Sequence, residues 1–311
     1  MLFYNIICKG YIKLFGKRDK RELKYKISFC LCFILYSALL ITAFLSLLRL
    51  FPKAAVWALP LFYIITESSS ENLIRQWLAI PFVIFGYYQY YIGNWKKCLF
   101  SLCVVPFIHL SGLFAVAVFL LFAKVKMRLK TPWILLGIYL LLYFFGDASY
   151  FSFVSEILSG ISLGDDEKYV GYVENADRWF TAEGSINEVL GKTTVAEIGM
   201  INVIVKFCCG VLFIIYGFKT CVKDFRLQIP FYFAYMALLL HTIRGDIEIY
   251  NRFAEWMNYF TPLVWGLILV NKEIRERYII YAVVLVQYLF YGFIRQIGLI
   301  PYKGCAFIWD A

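Results

Sequence analysis

Long apolar runs separated by short polar breaks dominate the pattern of residues along this chain. Runs such as 28–48, 98–123 and 198–218 approach or exceed the roughly 20 apolar residues that a helix needs to cross a bilayer. A soluble fold can bury one such helix, but not this many. The pattern predicts an all-α protein, a polytopic membrane bundle of about nine transmembrane helices with one long extracytoplasmic loop. The predicted spans are 28–48, 53–68, 73–92, 98–123, 131–147, 198–218, 228–243, 254–270 and 278–296.

Basic residues flank the apolar runs and predict the orientation of the chain. Eight basic residues fall between Lys9 and Lys26, and further clusters lie at 124–130, 219–226 and 272–277. Because cytoplasmic segments carry an excess of Lys and Arg, a cytoplasmic N-terminus with strict alternation puts all four clusters inside. Two alternatives stay open. The short run 53–68 can be re-entrant, and 98–123 can be a hairpin broken around His109.

This orientation predicts three parts of the chain: a basic cytoplasmic segment, a transmembrane domain and a tail. They cover residues 1–27, 28–296 and 297–311. The loop at 147–197 is then extracytoplasmic. It holds ten acidic and three basic residues, a net charge of −7 within a chain of net charge +10. Such a loop can present carboxylates and aromatic rings to sugars, or it can be a solvated cap over the bundle.

Composition agrees with a membrane protein and argues against several other classes. Hydrophobic residues make up 62% of the chain and mean hydropathy is +0.70, whereas soluble domains have roughly 45–50% apolar residues. The positive charge is spread over flanking clusters, which favours anchoring over nucleic-acid binding. The nine cysteines are scattered and there are two histidines, so we expect neither a disulfide framework nor a metal centre. No cleavable signal peptide is expected, since the first apolar run is too long for one.

Arg75 and His109 are ionisable residues inside or beside apolar runs, and such residues are candidates for function. Arg75 can hold a phosphate with its planar donor fork, at a helix start that itself favours anions. The alternative is an arginine that extends to the membrane surface. His109 can act as a general base near neutral pH, or it can be a neutral histidine bonded to a neighbouring helix.

The segment 244–252 is the densest polar cluster near the predicted membrane. Arg244, Asp246, Glu248 and Arg252 can pair with one another, or they can form a second phosphate clamp beside an acid. Arg252 is the stronger candidate because an aromatic-rich helical pattern continues after it.

Taken together, these motifs resemble the EpsG family, relatives of the Wzy polymerases that build capsule, exopolysaccharide and O-antigen chains in bacteria. The resemblance extends over residues 66–303. The family's Asn-x-x-Arg-Gln-x-x-Ala pattern is matched by Asn72, Arg75, Gln76 and Ala79, and its Phe-His-x-Ser-Ala-like pattern by 108–112. Its late Arg followed by Tyr is matched by Arg252 and Tyr259, and its terminal Pro-Tyr by Pro301 and Tyr302. Family members usually begin with further hydrophobic helices, so the resemblance implies a truncated or divergent member.

The resemblance implies a glycosyltransferase of the bacterial inner (cytoplasmic) membrane that needs no metal or other cofactor. Its donor and acceptor would be oligosaccharides linked to polyprenyl pyrophosphate, and its partners the lipid bilayer and other membrane proteins of polysaccharide assembly. Arg75 and Arg252, with Arg244, would stabilise the departing pyrophosphate. His109, Asp246 or Glu248 would act as base. Asn72, Gln76 and Tyr259 complete the predicted substrate-binding set.

Two other functions remain as alternatives. A flippase for lipid-linked oligosaccharides, or another transporter, also needs arginines for pyrophosphate, but it should carry charge at several depths along a path. A membrane acyltransferase would use the histidine but has no role for the arginine pair. The sequence concentrates its polar residues near a few spans, which favours a single-sided active site.

Overall fold

The computed structural model describes the backbone of residues 20–69, 74–124, 129–146, 200–243 and 248–289. Its side chains are described at 34–62, 76, 78–124, 129–146, 203–243 and 253–289. Throughout these ranges the regular structure is helical, without a strand. The acidic segment 147–197 lies outside the described residues, and so do Asn72, Arg244 and Asp246.

The described chain forms a series of helices. They are α1 (Lys20–Leu50), α2 (Pro52–Ser69), α3 (Ile74–Tyr91), α4 (Trp95–Ile108), α5 (Gly112–Lys124), α6 (Trp133–Phe145), α7 (Met200–Cys221), α8 (Phe225–Thr242), α9 (Glu248–Asn258), α10 (Thr261–Val270) and α11 (Arg277–Leu285). Each predicted span overlaps at least one of these helices, so the all-α prediction is confirmed for the described residues.

Length and composition single out one described segment, Val203–Cys221 in α7, as able to cross a membrane. Four further apolar helices are shorter, namely Ile34–Leu50, Gly112–Lys124, Trp133–Phe145 and Arg277–Leu289. A bundle with about nine crossings is therefore a proposal that these helices are consistent with.

The predicted span 98–123 is two helices rather than one. α4 ends at Ile108, and His109 follows it with extended backbone angles (φ −147°, ψ 118°) before α5 begins at Gly112. Ser111 and Gly112 are both poor helix formers, which favours a break here. Each helix is roughly 20 Å long, which is less than the hydrocarbon thickness of a bilayer. The structure thus confirms a break around His109, and a hairpin of the two helices stays a prediction.

The predicted span 254–270 is also interrupted. α9 ends at Asn258 and α10 begins at Thr261, with a proline at its first turn. Pro262 has no backbone N–H to donate to the preceding turn, so it suits the start of a helix and not its interior. The hydroxyl of Thr261 donates a hydrogen bond to Oδ1 of Asn258 across the junction (3.0 Å).

Residues of the chain fall into two compact units. Of the described residues, the smaller unit comprises 20–47 and 74–109, and the larger unit comprises those in 48–69 and from 110 onward. In the smaller unit, α3 packs against α4 as a helical hairpin. Gly93 has a positive φ of 83° at its turn, and the N–H groups of Gly93 and Asn94 bond to Tyr90 and Gln89. This pair of bonds is a Schellman ending, which needs the left-handed conformation that glycine adopts without strain.

α8 and α10 form the core of the larger unit. Both helices are apolar on every side, the pattern expected of helices surrounded by others. They pack against each other and against α7, and α8 also contacts α5, α6 and α9. Phe213 of α7 lies at the centre, with its ring 5.3 Å from Trp265 and 5.9 Å from Phe231. This core holds the surrounding helices at fixed positions.

α2 packs closely against α10 at Gly266. A Cβ atom at position 266 would lie 2.6 Å from the carbonyl oxygen of Ala54 and 3.0 Å from the Cβ of Ala58. Small residues on both helices therefore permit the approach, as at many helix contacts in membranes.

The start of α2 lies at the same end of the larger unit as the end of α10. Lys53 of α2 lines one groove together with Lys272 and Arg277. Strict alternation from a cytoplasmic N-terminus puts residue 53 on the opposite side from residue 272. All three cations line one groove, which strict alternation does not predict, and the number and order of crossings stay predictions.

Candidate functional site

A polar cavity of about 340 Å³ lies inside the larger unit. Four helices and the turn after α11 contribute to its wall. The lining residues are Lys206, Cys209, Gly210, Phe213, Ala234, Leu238, His241, Glu255, Asn258, Thr261, Trp265, Gln287 and Tyr288. A cavity of this size is at the lower end of the range for small-molecule sites. Its lining combines basic, acidic and amide groups, although most of the surrounding helices are apolar.

α9 supplies the acid of this cavity because its polar residues follow a helical stripe. Glu248, Arg252 and Glu255 recur at spacings of four and three, so their positions share one side of the helix. Glu255 and Asn258 line the cavity, whereas Trp256 and Met257 on the other side are fully buried among apolar neighbours. Of the three stripe residues, Glu255 is the one that the structure describes as lining the cavity.

The last described turn of the chain contributes a side-chain amide to the cavity wall. Residues 286–289 continue α11 as a π-helical turn, and Gln287 and Tyr288 within it both line the cavity. Turns of this kind occur often at functional sites. Oε1 of Gln287 is buried and accepts no hydrogen bond from the described residues. A ligand hydroxyl group would satisfy this acceptor.

α9 is joined to the start of α5 near the same site. The indole Nε1–H of Trp256 donates a hydrogen bond to Oγ of Ser111 (3.1 Å), and the rings of Phe253 and Phe114 lie 4.6 Å apart. Ser111 belongs to the His-x-Ser motif, and α9 carries Arg252. The structure therefore brings one residue of the His-x-Ser motif into contact with the helix that carries Arg252.

The predicted residues of the smaller unit lie on its hairpin. Arg75 and Gln76 are adjacent in the first turn of α3, and Gln76 is fully buried. His109 is half-buried at the end of α4, where its N–H bonds to the carbonyl of Val105 (3.0 Å). The side chain of Arg75 lies outside the described residues. The roles of these residues and of Asn72 stay predictions.

The predicted residues of the larger unit lie on or beside α9. Glu248 and Arg252 are in the helix, although their side chains lie outside the described residues. Tyr259 follows it and is fully buried, with its ring 6.4 Å from that of Phe62 in an edge-on contact. Tyr259 does not line the polar cavity. Its role as a substrate-binding residue stays a prediction, as do those of Arg244 and Asp246.

The residues predicted from the sequence did not include Lys206, His241, Glu255 or Gln287. Two signals were present. Lys206 is a charged residue within the apolar run 198–218, and Glu255 continues the stripe of Glu248 and Arg252 by one helical turn. Among the residues that the structure describes, no three His, Cys, Asp or Glu side chains are grouped as metal ligands.

Comparison with protein families matches residues 6–303 to the EpsG family, and the chain belongs to that family. Membership makes it a membrane protein of the polysaccharide-polymerase type, in line with its apolar helices. No curated protein and no solved structure matches the chain significantly.

Proposed function

We propose that this protein is a polysaccharide polymerase of the bacterial cytoplasmic membrane. It joins oligosaccharide repeat units carried on polyprenyl pyrophosphate, in the assembly of capsule, exopolysaccharide or O-antigen. The observation that carries the proposal is the polar cavity beside α9, in a chain of the EpsG family. The cavity lies at the end of the larger unit that faces away from the basic clusters 219–226 and 272–277. By the positive-inside rule that end is extracytoplasmic, where repeat units are joined.

The chemistry needs an anion clamp and a base. The hydroxyl oxygen of the acceptor sugar attacks the anomeric carbon of the donor glycan. The bond from that carbon to the pyrophosphate oxygen breaks, and polyprenyl pyrophosphate leaves with the negative charge. Arg252 on α9 and Arg75 on α3 are proposed to stabilise this charge, with Arg244 as a further cation. No metal is needed, because the leaving group is already a good one.

Glu255 is the proposed general base that takes the hydroxyl proton. Glu255 lines the cavity. It follows Arg252 by three residues on α9, just under one helical turn, so the proposed base and clamp come from one rigid helix. Gln287 offers an acceptor that can orient a sugar hydroxyl. His241 of the same cavity and the predicted bases His109, Asp246 and Glu248 are the alternatives to Glu255.

A matched pair of carboxylate variants tests this proposal. Glu255→Gln removes the base without changing its shape, and Glu273→Gln makes the same change at an exposed position near the other end of α10. Positioned bases contribute about 10²–10⁴-fold. We therefore expect Glu255→Gln to lower the rate of chain elongation by about that factor, and Glu273→Gln to leave it within about twofold. The measurement is the length distribution of the glycan and the amount of single lipid-linked units.

The location of the accumulated units separates the polymerase from the flippase. A stalled polymerase leaves single units on the extracytoplasmic face, where a periplasmic glycan-labelling reagent reaches them. A stalled flippase leaves them inside, and that outcome would contradict the proposed function. Normal chain length in a well-folded Glu255→Gln protein would instead remove Glu255 from the mechanism.

A further inference from the structure

A second cavity, a groove of about 400 Å³, lies at the opposite end of α10. Its walls are the first turns of α2 and α11, and its floor is the end of α10. The residues that give it its chemical character are Lys53, Val56, Trp57, Lys272, Arg277 and Tyr281. None of them lines the polar cavity, so the groove is a separate site.

The groove is positively charged because its cations have no acidic partner in its lining. Lys53, Lys272 and Arg277 line it without a carboxylate. The two nearest acids in the sequence are engaged with α7 and the turn that follows it. Glu273 forms an ion pair with Lys223 (3.1 Å), and Glu276 accepts a hydrogen bond from the hydroxyl of Tyr216 (3.5 Å). The lining of the groove therefore carries three positive charges and no negative one.

One wall of the groove is apolar and aromatic. The rings of Trp57 and Tyr281 meet edge to face at 4.4 Å. Val56 and Tyr278 are 71% and 66% exposed, as expected of side chains that contact lipid at a membrane surface. Arg277 lies over the ring of Tyr278 with its Cζ 5.0 Å from the centroid, and its Nη2 donates to the Tyr278 hydroxyl (3.3 Å). This contact fixes the guanidinium at the edge of the groove.

We propose that this groove binds one anionic phospholipid of the bilayer. The headgroup phosphate lies among Lys53, Lys272 and Arg277, and the adjoining part of an acyl chain lies along Val56 and Trp57. Basic pockets between helices at the cytoplasmic surface are suited to anionic lipid headgroups. A lipid fits the groove better than a free phosphate because the exposed apolar wall continues from the cations.

Charge-matched triple variants test the site. K53Q/K272Q/R277Q removes the three groove cations, and K124Q/R226Q/R275Q removes three exposed cations outside the groove. Each purified protein is equilibrated with phosphatidylglycerol and phosphatidylcholine in equal amounts, and the retained lipid is counted by native mass spectrometry. We expect the wild type and the control to retain one phosphatidylglycerol selectively. The groove variant should lose this retention by about tenfold to about a hundredfold.

A third variant controls for loss of the fold, and competition with inorganic phosphate distinguishes a lipid from a free phosphate as the ligand. K53R/K272R/R277K keeps three cations, and it should retain phosphatidylglycerol with unchanged helicity by circular dichroism. Equal loss in the groove and control variants would overturn the proposal. So would equal retention of the two lipids, loss of binding in the charge-conserving variant, or displacement of the lipid by millimolar inorganic phosphate. Because lipid retention is measured without glycan substrate, its failure is distinguishable from failure of the proposed polymerase activity.

Discussion

The two cavities of the larger unit differ in the charges that line them. The polar cavity combines Lys206, His241 and Glu255 with neutral amides, and it lies beside the first turns of α10. The basic groove has three cations and no acid, and it lies at the last turn of the same helix. Since α10 is roughly 14 Å long, two unlike sites are held apart by one buried helix.

The difference separates two kinds of task. Groups of both signs in one cavity can move a proton and stabilise a developing charge, because each acts on a different atom of the substrate. Cations alone on an open, partly apolar groove can hold an anion but give it no base. We therefore assign chemistry to the polar cavity and anchoring to the basic groove.

After Glu255→Gln, the largest effect is expected from Arg252→Ala, which removes the proposed pyrophosphate clamp. Loss of a group that stabilises transition-state charge costs about 10²–10³-fold in rate. We expect elongation to fall by that factor and phosphatidylglycerol retention to stay unchanged. Arg252→Lys keeps the charge but not the planar fork, so it should recover only part of the activity. Single-turnover elongation with purified protein and lipid-linked repeat units is the measurement.

Arg275→Ala is the control for that substitution, because Arg275 is an exposed arginine at the other end of the unit. It should leave elongation within about twofold of the wild type, as exposed charges contribute little. If Arg252→Ala also lost the bound phospholipid, the division of tasks between the two cavities would be wrong.

A smaller effect, on both cavities together, is expected from Gly266→Ala. The new Cβ would lie 2.6 Å from the backbone oxygen of Ala54, so α2 must move away from α10. Overpacking of this kind destabilises by about 1–3 kcal/mol. Because α10 contributes to both cavities, elongation and phospholipid retention should fall in parallel. The free energy of unfolding in detergent micelles measures the effect on stability.

Gly137→Ala is a matched control on α6, where nothing lies within 4 Å of the added Cβ. Alanine is favoured over glycine within a helix by about 0.5–1 kcal/mol, so this variant should be as stable as the wild type or slightly more stable. A Gly266→Ala protein with normal stability would show that α2 does not approach α10 closely, and would remove the physical link between the two cavities.

The helical segments were largely predictable from the sequence, because long apolar runs favour helices that leave water for the protein core or for lipid. The breaks within the apolar runs were less predictable. Pro262 marks the break between α9 and α10 by its missing N–H, yet hydrophobicity alone merges the two helices into one span. The position of Lys53 beside Lys272 was not predictable from charge counting, since alternation assumes that every apolar run crosses the membrane.

The polar cavity depends on contacts between distant parts of the chain. Lys206 and Gln287 are separated by 81 positions but line the same space. Sequence reasoning identified α9 through its arginine, because an ionisable group near a predicted membrane is unusual. Glu255 was visible only as a helical repeat of that polar stripe, and its position in the wall of a cavity is a property of packing.

The smallest effect is expected from the hydrogen bond between Trp256 and Ser111, which joins α9 to the residue just before α5. Trp256→Phe and Ser111→Ala each remove one partner, and the double variant completes a cycle in which the change in packing cancels. A buried hydrogen bond contributes about 0.5–1.5 kcal/mol, so the coupling energy in unfolding should be about 1 kcal/mol. A coupling of zero would show that the two side chains do not interact. Because the bond lies outside the basic groove, all three variants should retain phosphatidylglycerol as the wild type does, and a change in retention would mean that the two ends are not independent.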